Sequence, residues 1–80
     1  PEAEMLNREI LQTVEAAVAK LPEDLRKAIT LREMEGLSYE EIAQSMDCPI
    51  GTVRTRIFRA REVIAKDLRP LLDTSEDQRW

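Results

Sequence analysis

Eighty residues suffice for one small domain with a limited core, and the composition is acidic, with 16 Asp and Glu against 12 Lys and Arg. There is no histidine and one cysteine, so neither a metal cluster nor an internal disulfide is expected, and Cys48 fits a reducing compartment. No glycine-rich phosphate loop and no apolar run of membrane-spanning length occur, and no signal peptide is visible, so a catalytic, cofactor-bearing or membrane-embedded chain is not expected. The chain begins at Pro1 rather than at a methionine and reads as a piece of a longer protein.

The pattern is all-α, with no segment alternating at period two over strand length. A first helix is predicted over about residues 3–20. Leu6, Ile10, Val14, Ala17, Val18 and Leu21 recur there at spacings of three and four and form one apolar face. Leu21-Pro22-Glu23-Asp24 then breaks that helix and opens a second, with acids in its first turn where the helix dipole favours them. The second helix, about residues 23–35, carries Leu25, Ala28, Ile29, Leu31 and Met34 around more than one face, which predicts a central position. Gly36 is the expected left-handed residue after it.

Ser38-Tyr39-Glu40-Glu41 has capping-box spacing and predicts a short third helix that buries Ile42, Ala43 and Met46. The adjacent acids of Glu40-Glu41, like those of Glu23-Asp24, are explained by helix starts and need no acid–base chemistry. A turn over residues 47–51 follows, then a fourth helix from about Thr52 to Leu68, with Pro70 as its stop. The expected organisation is a four-helix domain over residues 1–72. Its helix-turn-helix occupies about residues 38–68, with no wing, and residues 73–80 form a polar, disordered tail that includes Trp80.

Charge is unevenly spread. Residues 1–50 hold 5 basic and 11 acidic side chains, a net of −6, whereas residues 51–72 hold 6 basic and 2 acidic, a net of +4. Four arginines fall within eight residues, Arg54, Arg56, Arg59 and Arg61, and such segregation gives an acidic domain one face suited to phosphate.

On a helical wheel, Val53, Ile57, Ala60, Ile64 and Leu68 share a sector of about 80° and form the core stripe of the fourth helix. Thr55, Phe58, Arg59 and Glu62 lie opposite it, with Arg54 and Arg61 on one flank and Arg56 on the other. Arg54 and Arg59 are candidates for paired hydrogen bonds to guanine O6 and N7. Phe58 suits either a thymine methyl or partial packing against a neighbouring helix. A short helix, a turn and a longer basic helix make the arrangement that places its second helix in the DNA major groove.

Four separated segments carry a resemblance to a known family. They are Leu21-Pro22-Glu23-Asp24-Leu25-Arg26, Leu31-Arg32-Glu33, Gly36-Leu37-Ser38-Tyr39-Glu40-Glu41-Ile42-Ala43, and the run from Cys48-Pro49-Ile50-Gly51-Thr52 through Arg61. Together they resemble region 4, the carboxy-terminal DNA-binding domain, of bacterial extracytoplasmic-function sigma factors, and most of all the sigma-E envelope-stress and alginate-regulator group. The resemblance implies recognition of a GGAAC-like −35 promoter element as part of an alternative sigma factor serving stress-response promoters. By position it implies base contacts from Arg54, Thr55, Phe58 and Arg59, and phosphate contacts from Arg32, Tyr39, Thr52, Arg56 and Arg61. That group usually has serine where this chain has Thr55. It further implies two protein partners, the β flap of RNA polymerase and an anti-sigma factor, and a cytoplasmic location, held at the inner membrane through the latter. Two other readings stay open: the helix-turn-helix output domain of a two-component or quorum-sensing regulator, and a module that binds an acidic protein.

Overall fold

The computed structural model describes the backbone of residues 2–77 and the side chains of residues 4–71. Four helices follow one another, α1 (Glu2–Ala19), α2 (Glu23–Glu33), α3 (Tyr39–Met46) and α4 (Ile50–Asp77), with no strand among the described residues. The all-α expectation holds.

The core is small because the helices are short. Leu21, Ala28, Ile29, Ile42, Val53, Ile57 and Ala60 are buried together, with Val18, Leu25, Leu31, Leu37 and Ile64 among the half-buried residues packed on them. The predicted stripe of α4 is confirmed at Val53, Ile57 and Ala60, which are at most 1% exposed. The central helix is α4, not α2 as its wrapped apolar pattern suggested. Helix α4 packs against all three others, whereas α2 packs chiefly against α3 and α4, and Met34 at its C-cap is 81% exposed. The multi-faced pattern of α2 thus marks a partly uncovered helix.

Junction chemistry fixes the path. Pro22 caps α2 at φ −53° and ψ 150°, and its carbonyl accepts from Arg26 N–H at 2.9 Å. Helix α2 ends at Glu33, two residues before the expected end. Gly36 takes φ +71°, and Leu37 N–H turns back to the Leu31 carbonyl at 3.1 Å. The capping box forms in both directions: Ser38 Oγ accepts from Glu41 N–H at 3.1 Å, and Glu41 Oε1 accepts from Ser38 N–H at 2.8 Å. Those hydrogen bonds to Ser38, backbone first, hold the Glu41 carboxyl below the usual glutamate range.

Two boundaries of α4 differ from expectation. It begins at Ile50 rather than Thr52, because α3 closes within three residues. Asp47 adopts φ 53° and ψ 54°, its N–H reaches the Gln44 carbonyl at 3.3 Å, and Cys48 N–H reaches the Ala43 carbonyl at 3.0 Å. Pro49 then starts α4 by accepting from Thr52 and Val53 N–H at 3.0 and 3.2 Å. The linker is therefore of the short helix-turn-helix length.

At the other end α4 passes through Pro70 and continues to Asp77. A proline removes one backbone donor and crowds the carbonyl four residues back. Here α1 packs along the same stretch, where Glu9, Gln12, Thr13 and Ala16 face Lys66, Asp67, Pro70 and Leu71, and Lys20 bridges Asp67 at 2.6 Å. That support outweighs the local stop signal. Residues 73–77, expected in the tail, continue this helix, and Trp80 lies outside the described residues.

Candidate nucleic-acid interface

The core stripe of α4 fixes which way its other side chains point. With Val53, Ile57 and Ala60 turned inward, Arg54, Thr55, Phe58, Arg59 and Glu62 are all exposed. Phe58 is 63% exposed, so packing on a neighbouring helix does not account for it. Arg54 and Arg59 make no ion pair with a described residue, and both guanidinium forks are free to meet a ligand.

Thr55 is more constrained. Its hydroxyl donates to the Gly51 carbonyl at 3.1 Å, which commits the one hydrogen and leaves the oxygen lone pairs as acceptors. In that state it can take a hydrogen from a base amino group rather than give one to a base carbonyl.

The remaining expected contacts fall into two clusters. In the first, a shallow groove of about 460 Å³ brings Thr52, Thr55, Arg56 and Arg59 together with Pro49 and Asp24. Arg56 is half-buried there, its Nε 3.5 Å from Asp24 Oδ2 and its Nη1 3.8 Å from Cys48 Sγ. In the second, Arg32 lies 5.0 Å over the Tyr39 ring and donates to the Leu37 carbonyl at 2.9 Å. Beside it, Arg61 Nη2 donates to Glu33 Oε2 at 2.7 Å. That bond, with a lesser contribution from Tyr39, holds the Arg61 guanidinium above its ordinary value.

The two groups of residues therefore differ in the free domain. Arg54, Phe58 and Arg59 project unpaired, whereas Arg32, Arg56 and Arg61 are each engaged within the chain. Sequence reasoning missed Asp24, Glu33 and Cys48 as members of these clusters. Asp24 and Arg56 lie 32 positions apart, as Glu33 and Arg61 lie 28 apart, and no local spacing announces such pairs.

A second surface is apolar. Leu11, Val14 and Val18 of α1, Ile29 of α2, Met34 just after it and Ile64 of α4 line a groove of about 530 Å³, which Glu15 and Glu33 also line. Leu11 is 63% exposed and stands with Met34 on this open surface.

Comparison with known proteins agrees with the geometry. Residues 11–64 match the family described as sigma-70, region 4. Over 72 residues, 90% of this chain, it is 65% identical to the RNA polymerase sigma-H factor of Pseudomonas aeruginosa. Over the same length it is 62% identical to the ECF RNA polymerase sigma-E factor of Escherichia coli K12 and 61% to that of Haemophilus influenzae. The matched stretch covers 37–38% of these relatives, so the chain spans under two fifths of their length. The matched helices are the ones that build the turn and the arginine-bearing face, and the chain belongs to the sigma-70 region 4 family.

Proposed function

We propose that this chain reads a GGAAC-like −35 promoter element as the region 4 domain of an extracytoplasmic-function sigma factor. The observation that carries this reading is the exposed, unpaired row of Arg54, Phe58 and Arg59 on the helix that follows a three-residue turn. Arg54 and Arg59 take guanine edges, Phe58 meets a thymine methyl or base edge, and Thr55 accepts from an amino group. Arg32, Tyr39, Thr52, Arg56 and Arg61 hold the phosphates on either side. The relatives' names favour this reading over a two-component or quorum-sensing output domain.

The apolar groove between α1, α2 and α4 supports the protein partners, the β flap of RNA polymerase and an anti-sigma factor, because the chain leaves it uncovered. None of the described helices is long and apolar enough to cross a membrane.

Binding to a GGAAC duplex and to a scrambled duplex across a salt series tests the reading. The expected result is a preference for GGAAC, with log affinity falling against log salt at a slope of about −4, from four or five phosphate contacts. Equal affinity for the two duplexes overturns it.

A further inference from the structure

The arginines assigned to phosphate are not idle in the free domain. Arg61 is bound by Glu33 at 2.7 Å and Arg56 by Asp24 at 3.5 Å, and both carboxylates sit on α2, one in its first turn and one at its end. All four side chains retain access to water, with relative exposures of 52% and 54% for Arg61 and Glu33, and 27% and 52% for Arg56 and Asp24. Asp24 also lines the groove that holds Thr52, Thr55 and Arg59, so its charge lies among residues assigned to DNA.

Each carboxylate meets its guanidinium through one nitrogen, and while the pair stays closed it neutralises the positive charge and turns that edge away from a phosphate. Water-exposed ion pairs of this kind are weak enough to be exchanged, at well under the strength of a buried pair. A carboxylate left behind near the duplex then repels it.

We propose that Asp24 and Glu33 are internal competitors for DNA phosphate, so that the domain binds DNA by exchanging two ion pairs and is held to weak affinity by them. The proposal rests on the assignment of Arg56 and Arg61 to phosphate contacts. It adds two acidic, affinity-setting residues to the interface, on a chain whose net charge is −4 despite its arginine-dense helix.

The test measures duplex affinity of the full 80-residue chain by fluorescence anisotropy at low salt. The Asp24→Asn/Glu33→Gln variant is expected to bind both GGAAC and scrambled duplexes about 3- to 10-fold more tightly than the parent. Glu23→Gln/Glu35→Gln removes the same charge from the start of α2 and the turn after it, at exposed positions outside these pairs, and is expected to gain less than about 2-fold. In an Arg56→Ala/Arg61→Ala background the Asp24/Glu33 change is expected to give no more than that control. An equal gain from the control, or a gain that persists without the arginines, overturns the exchange and reduces it to overall charge. Because phosphate contact needs no sequence, loss of the GGAAC preference alone sinks the promoter reading and leaves the exchange measurable on the scrambled duplex. No binding to either duplex by any variant overturns both.

Discussion

The side chains of α4 divide by what they touch within the chain, and on the proposed reading that division makes different predictions for neighbouring arginines. Arg59 is exposed and unpaired, so Arg59→Ala is expected to cost about 1–3 kcal/mol on GGAAC and to relax preference at one guanine, read by competition among duplexes substituted base by base. Arg61→Ala is expected to weaken GGAAC and scrambled duplexes alike and to flatten the salt slope by about one. A uniform loss from both would mean that the sorting into base and backbone contacts is wrong. Phe58→Ala removes a ring that is 63% exposed, so the melting temperature should stay within about 3 °C while duplex affinity falls. The wheel made this face legible, since the same period that buries Val53, Ile57 and Ala60 must expose Thr55, Phe58 and Arg59. It could not show that Thr55 spends its hydrogen on Gly51, nor that Arg56 finds Asp24, because those depend on how α2 is laid against α4.

Among the elements, the α3 start was readable and the turn only partly so. Ser-x-x-Glu at residues 38–41 is a local signal with a local outcome, and both of its hydrogen bonds form. Ser38→Ala is expected to lower stability by about 0.5–2 kcal/mol, measured by urea unfolding. The Glu41 carboxyl adds a pH dependence. Its folded value lies below its unfolded one, so its contribution is present above the ordinary glutamate range near pH 4.5 and is lost as pH falls through the lowered folded value. Glu41→Gln, which keeps the capping geometry, should therefore show a flatter melting profile across that acid window than the parent. At the turn the left-handed position falls to Asp47, while Gly51 lies in the first turn of α4 without positive φ. Asp47→Gly is accordingly expected to raise stability by up to about 1 kcal/mol. Pro70 misled for a related reason: propensity at one residue was outweighed by the packing of α1 along the helix.

The whole molecule is open for its size, with 6115 Å² of accessible surface where about 4,900 Å² is typical of a compact chain of this mass. That openness comes from a 28-residue α4 serving as the spine for three shorter helices. Protection should follow the spine. Amides around Ile42 and Ile57 are expected to exchange with deuterium most slowly, and those of residues 5–12, where Met5 and Leu11 are each 63% exposed, well before them. Because one helix is both the centre of the core and the proposed reading surface, its two faces answer to different constraints. Val53, Ile57 and Ala60 are tied to folding, whereas Arg54, Phe58 and Arg59 are exposed without an ion pair to a described residue and Thr55 bonds only within its own helix. On the proposed reading, substitution at the second set changes what the domain reads without first unfolding it, so the recognition face is decoupled from the scaffold that carries it.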